Sequence, residues 1–139
     1  MIAKTQAKHW RDTTLDNLIY DRVAADVTDR TAKGYYNLAD VTRVNEWITY
    51  LLSLYGLSGT VTTKTLGEQA DISQMVTNTE TIRSGHTWSF TPTTPTSTVW
   101  NYIKANSMEK ILYDANLWEV NRLKDIKYCG EIIAGEDTL

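Results

Sequence analysis

The segment Lys33–Gly56, "KGYYNLADVTRVNEWITYLLSLYG", constrains the fold more than any other part of the chain. Asn37 is placed as an N-cap whose side-chain oxygen can accept from a first-turn N–H, and Asp40 brings negative charge to the positive end of the helix. Behind the cap, Leu38, Val41, Val44, Ile48, Leu51, Leu52 and Tyr55 recur at steps of three and four, the spacing of one helix face. Trp47 widens this stripe, while Arg43, Glu46, Thr49 and Ser53 fall on the side expected to face solvent. Gly56 supplies the stop. A helix with so broad an apolar face must have other elements laid against it, so a helical core is required.

The flanking segments offer such elements. "DRVAADVTDRTAK" reads as a short helix with Val23 and Val27 one turn apart, closed by Gly34. The Gly- and Thr-rich run "LSGTVTTKTLGEQAD" predicts an extended connection or a short β excursion. Ser73 is expected to cap a third helix, with Ile72 before it, Met75, Val76, Thr79 and Ile82 on its inner face, and Gly85 after it. "TWSFTPTTPTSTVW" is rich in Thr and Pro and predicts a spacer. The chain then divides into a small helical domain at 1–90, a spacer at 91–99, and a back part at 100–139 that packs on the front.

The back part predicts a long helix from about Asn101 to Lys124. Ala105, Met108, Leu112 and Ala115 form one stripe, with Ile111 and Trp118 beside it, and Tyr113, Leu117, Val120 and Lys124 form another. A helix apolar around so much of its circumference needs cover on more than one side. The front part would cover one side and a second copy the other, with Leu117, Trp118 and Val120 as the candidate interface. In "YCGEIIAGE", Gly130 and Gly135 flank a β-favouring Glu-Ile-Ile. The expected fold is therefore mainly α, with about four helices, the last one long, and a short β or extended C-terminal tail.

Charge and composition exclude several function classes. Seventeen acids against fourteen bases, a net charge of −3 and a pI near 5.3 argue against nucleic acid as a partner. Arg122, Lys124 and Lys127 read as complements to the negative end of a helix rather than as a polyanion site. A helix-turn-helix using Thr42, Arg43 and Asn45 is disfavoured by its Trp- and Tyr-rich face. No apolar run approaches the roughly 18 residues of a membrane span, so no membrane contact is expected. The opening "MIAKTQAKHWRDTT" lacks the apolar stretch of a secretory signal. Cys129 is the only cysteine, which precludes an intrachain disulfide.

Catalytic patterns are likewise missing. His9 and His86 have no Cys or acid at a metal-ligand spacing, and Cys129 reads as a small apolar filler rather than a nucleophile. The carboxylate pairs Asp12 with Asp16, Asp26 with Asp29, and Glu109 with Asp114 lie among polar residues and read as solvated faces. The glycines are dispersed singly, with no phosphate loop. No catalytic residue, metal or cofactor is expected. The aromatics are five Trp, eight Tyr and one Phe, a set suited both to the rim of a core and to protein interfaces.

Several motifs in one order carry a resemblance. "IYDRVAADV" is similar to an Ile-Tyr-Asp-Arg-Thr then Ala-Asp-Val pattern, matched at Tyr20, Asp21, Arg22, Ala25, Asp26 and Val27. A second pattern, Tyr-Asn-x-x-Asp-Leu-Asn-Arg-Val, is matched at Tyr36, Asn37, Asp40, Arg43 and Val44. After the polar stretch, the short helix around "ISQMVTNTETIR" and the Pro-Thr spacer, "YIKANSMEKILYD" follows a third pattern through Ala105, Asn106 and Glu109, and "YCGEIIAGE" a fourth. Together, from Ile19 to Glu136, they resemble a module of bacteriophage and prophage structural proteins of Gram-positive bacteria. Val23 stands where Thr is usual, which removes a side-chain cap from the first helix; Val41 and Thr42 replace Leu-Asn, and Cys129 replaces Ser.

The resemblance implies a non-enzymatic virion component, associated with the tail or baseplate and assembled in the host cytoplasm. Its partners would be other virion proteins and further copies of itself. Two other classes stay open. One is a carbohydrate- or receptor-binding module that uses Trp and Tyr, and the other is a small regulatory protein that binds protein or DNA.

Overall fold

A computed structural model describes residues 15–31, 37–63, 71–88 and 90–134, with side chains as far as 122. Four helices follow in order: α1 (Ala24–Thr28), α2 (Leu38–Tyr55), α3 (Ile72–Arg83) and α4 (Tyr102–Ala134). No strand occurs among the described residues, and the fold is mainly α.

Helix α2 forms as its sequence dictates. The Asn37 side chain accepts from the Asp40 N–H at 3.3 Å, and Asp40 Oδ2 accepts from the Asn37 N–H at 2.8 Å. The two residues thus cap the helix reciprocally. At the far end Gly56 adopts φ 65° and ψ 33°, a left-handed conformation that costs glycine nothing, and the Leu57 N–H closes on the Leu52 carbonyl at 2.8 Å. Val44, Trp47, Ile48 and Leu51 from α2 meet Met75 and Ile82 from α3 and Met108, Leu112 and Ala115 from α4 in one core. Each large side chain buried there contributes about 1.5–3 kcal/mol. The front and back parts of the chain share this core.

The other helices depart from the sequence reading in local ways. Helix α1 carries no buried residue and ends at Thr28, before Gly34, which lies outside the described residues. Its stop is made by Arg30 at φ 54° and by the Thr31 N–H bonding to the Asp26 carbonyl at 3.0 Å. Helix α3 is capped by Asp71 rather than Ser73: the Asp71 carboxylate accepts from the Gln74 N–H at 3.0 Å, so the helix starts at Ile72. On its inner face Asn78 is buried, whereas Val76 is half-buried. Asn78 serves the connection before it, donating to the Thr60 carbonyl at 2.8 Å, while Gln74 bonds both the N–H and the hydroxyl of Thr62. Gly59 makes that approach possible, because a Cβ there would lie 2.5 Å from Asn78 Oδ1 and 2.9 Å from Leu52 Cδ1.

Helix α4 starts as read, with Asn101 Oδ1 accepting from the Lys104 N–H at 2.9 Å. It then runs past Lys124 and through Gly130 to Ala134, so the Glu-Ile-Ile expected in a short strand or tail is helical. A single glycine costs about 1 kcal/mol relative to alanine and does not stop a helix already propagating. A strand there would also need a partner strand, and none exists among the described residues.

Much of the apolar surface of α4 is covered by the chain itself. Ala105, Met108, Ile111, Leu112, Ala115 and Val120 are buried, whereas Tyr113, Leu117 and Trp118 are half-buried and Ile103 is exposed. Residues 91–99 have the irregular backbone of a spacer yet are fastened down. Arg83 Nε donates to the Pro92 carbonyl at 2.8 Å, Thr91 Oγ1 to Asp114 Oδ2 at 3.1 Å, and Lys104 Nζ to Thr96 Oγ1 at 2.7 Å.

Candidate functional site

Residues 15–22 form no helix; they cross the bundle as a strap. Leu15 and Leu18 pack on the core, and the Trp47 indole N–H donates to the Asp16 carbonyl at 2.7 Å. The end of the strap is held almost wholly by polar groups. Asn106 Oδ1 accepts from the Arg22 N–H at 3.1 Å, and Asn106 Nδ2 donates to the Arg22 carbonyl at 2.9 Å. One carboxamide thereby reads both backbone groups of a residue, as a neighbouring strand would.

The Arg22 side chain then enters a buried set of charges. Its Nη2 lies 2.7 Å from Glu109 Oε2 and 3.4 Å from Asp40 Oδ1, and its Nη1 donates to the Ile19 carbonyl at 2.9 Å. Arg43 presents Nε to Glu109 Oε1 at 2.8 Å and Nη2 to Glu109 Oε2 at 2.9 Å, with Nη2 also 2.7 Å from Asp40 Oδ1. The Ile19 N–H adds a fourth donor to Glu109, at 2.9 Å. The side chains of Arg22 and Glu109 are 1% and 0% exposed. Two guanidinium cations thus face two carboxylates out of contact with water.

Such a cluster is held by balance. Burial alone would lower the Arg43 pKa, but the hydrogen bonds and charge of Glu109, then of Asp40, outweigh it and push the value up. Charge-assisted bonds of this bidentate kind are strong and directional, yet desolvating the ions offsets much of the gain. Removing one member is another matter, because it leaves an uncompensated buried charge. Glu109 accepts four donors, which fills the roughly four lone-pair sites of a carboxylate. It has no free lone pair with which to take a proton from a substrate.

Two sequence expectations are corrected here. Arg43 was placed on the solvent side of its helix but is 7% exposed, because Glu109 of α4 lies opposite it. Glu109 and Asp114 read as a solvated face, yet they are 0% and 1% exposed. Asp114 is partnered by Lys110 Nζ at 3.0 Å and by the Thr91 hydroxyl. What the sequence hid was the partner in each case.

Several of the motif residues converge on this junction. Arg22, Asp40, Arg43, Asn106 and Glu109 are in it, Asn37 joins through the shared cap of Asp40, and Val44 and Ala105 are buried in the core. Tyr20 sits to one side, its ring 4.9 Å from that of Tyr113, with Lys110 Nζ over both rings at 5.0 and 4.8 Å. Burial, then Tyr113, Asp114 and Asp21, raise the Tyr20 pKa. Asp21 is exposed, and Tyr36 lies outside the described residues.

The candidate interface residues are elsewhere on α4. Val120 is 2% exposed and belongs to the interior, so it is not available as a surface contact. Leu117 and Trp118 are half-buried. Trp118 meets His86 edge-on at 5.7 Å and Tyr55 at 6.1 Å, while His86 stacks on Tyr55 at 4.1 Å. The Tyr55 hydroxyl donates to the Ala115 carbonyl at 2.6 Å, and burial, then Glu119, push its pKa up.

Among the described residues no three His, Cys, Asp or Glu side chains are grouped to share a metal ion, and no helix is long and apolar enough to cross a membrane. No family model matches this chain, and no curated protein or solved structure is similar to it at a significant level.

Proposed function

We propose that this chain is a non-enzymatic component of a bacteriophage virion, associated with the tail or baseplate, that acts as an assembled part. One observation supports the reading most: five of the polar motif residues that carry the resemblance are engaged with one another. Arg22, Asp40, Arg43, Asn106 and Glu109 fasten a strap to two helices inside the protein, and their donors and acceptors face inward. Residues used in this way fix a shape. A protein whose role is its shape has reason to repeat such a set.

Docking to other virion proteins and self-association complete the proposal. With Val120 in the interior, Leu117 and Trp118 are the remaining candidate contacts on α4. Mass spectrometry of purified particles from a producing host tests the class: the chain should be present in particles at a stoichiometry repeated between preparations. Its absence from particles that contain the other tail proteins would overturn the proposal. Sedimentation at micromolar concentration tests the association separately, and Leu117→Asp should shift the oligomer towards monomer.

A further inference from the structure

The strap is held as a bound peptide is held. Asn106 pairs one carboxamide with both backbone groups of Arg22, at 3.1 and 2.9 Å, and the Trp47 indole N–H donates to the Asp16 carbonyl at 2.7 Å. Bonds to backbone recognise an extended segment, and sites for its side chains select which one. Here Leu15 and Leu18 pack on the core, and the buried Arg22 guanidinium meets Glu109 at 2.7 Å and Asp40 at 3.4 Å. The slot between α2 and α4 thus reads an extended segment in which an arginine follows a leucine by four residues.

None of these contacts requires that strap and slot belong to one chain. Asp16 and Trp47 are 31 residues apart, and Arg22 and Asn106 are 84 apart. Among the described residues, the buried members of the core all come from α2, α3 and α4, with Leu15 and Leu18 partly buried against them. Helix α1, which leads away from the strap, buries no residue. The strap can therefore lift off while the three-helix core stays whole. Lifting it returns Arg22, Glu109 and Asp40 to water together, so the cost of desolvating them is recovered as their attraction is lost. That makes opening much less costly than deleting one partner from the closed junction.

We propose that the slot is also a docking site between copies: the strap, residues 15–22, of one copy fills the slot of a second. In a reciprocal pair each strap regains the bonds it made within its own chain, so such exchange is a low-cost route to a dimer. The balance between closed monomer and exchanged dimer is then set by protein concentration and by the connection through α1. Strap exchange rests on the self-association proposed above and not on the virion reading, and it sets the contact at the strap rather than at Leu117.

Isotopically labelled and unlabelled full chain, in equal amounts, are refolded together from urea at several hundred micromolar and studied by sedimentation and isotope-filtered NMR. A dimer is expected, with nuclear Overhauser contacts between the Trp47 indole proton of one copy and the strap around Asp16 of the other. Two variants sharpen the result. Asn106→Ala impairs the slot and keeps the strap, whereas Arg22→Ala impairs the strap and keeps the slot. Mixed, they can form one intact contact between copies, so the mixed pair should associate at least about tenfold more tightly than either variant alone. If either variant fails to fold, the parent chain decides by the NMR contacts, which need no substitution. A dimer whose strap contacts all lie within single copies overturns strap exchange and leaves the association through Leu117 standing. A monomer at every concentration overturns both. Equal association of the mixture and of the separate variants also overturns the exchange.

Discussion

Helix α4 makes two unlike contacts within one turn of each other. At Asn106 and Glu109 it holds the strap and α2 through charge and through a carboxamide that reads backbone. At Met108, Leu112 and Ala115 it holds α2 and α3 through apolar packing. The apolar contact is strong but undirected, and it tolerates any side chain of similar volume. The charged contact is selective because every atom has an assigned partner, and it fails when one is removed. Stability on one side of the helix is thus a matter of volume, and on the other a matter of atom-by-atom pairing.

The sharpest way to break the comparison is to delete the centre of the junction. Glu109→Ala removes the carboxylate that Arg22 and Arg43 share and should cost about 3–5 kcal/mol in chemical denaturation. A loss under about 1 kcal/mol would reduce the junction to the rank of a surface ion pair. On the apolar side, Leu112→Ala should cost about 3 kcal/mol, whereas the volume-conserving Leu112→Met should cost less than ~1.5 kcal/mol. The matching conservative change in the junction, Glu109→Asp, should cost more than Leu112→Met, because the shorter carboxylate cannot reach all four donors. Equal costs would erase the distinction.

Smaller effects probe the edges of the two regions. Asn37→Ala should cost about 1 kcal/mol, since it removes the side-chain acceptor of the Asp40 N–H and loosens the cap that orients Asp40 towards the junction. Tyr55→Phe should cost about 1 kcal/mol at neutral pH, the value of one hydrogen bond, here to Ala115. Its pH dependence has a definite sign. The folded Tyr55 pKa is raised, so the stability it supplies is fully present below its ordinary value near 10 and is lost as pH rises through the folded value. Thermal melts from neutral pH to above about pH 10 should therefore fall less steeply for Tyr55→Phe than for the parent chain.

Local chemistry was legible wherever cause and effect lie within a few residues. The Asn37–Asp40 cap, the α2 stripe, the Gly56 stop and the Asn101 start of α4 all follow from contacts spanning five residues or fewer. The one-helix-turn errors have the same scale: Asp71 and Ser73 are both good caps, and only the Gln74 contact decides between them. The charge junction was not legible from spacing, although the resemblance grouped its members. An arginine at the edge of an apolar stripe reads as solvated until an acid is known to lie opposite it, and here that acid is 66 residues away. For the strap the separation reaches 90 residues.

The sequence by itself determined that this protein is helical, where helix α2 begins and ends, and which face of that helix is apolar. Those properties come from backbone geometry and side-chain periodicity, which act over one or two turns. Only the tertiary structure decided that Arg43 and Glu109 are buried rather than wet, and that Val120 is interior. Burial of a polar side chain depends on what arrives from elsewhere in the chain, and hydropathy at one position carries no record of its partner. The tail of α4 shows the same division: Gly130 and the β-favouring Glu-Ile-Ile suggested an end, but a strand needs a neighbour and a growing helix does not.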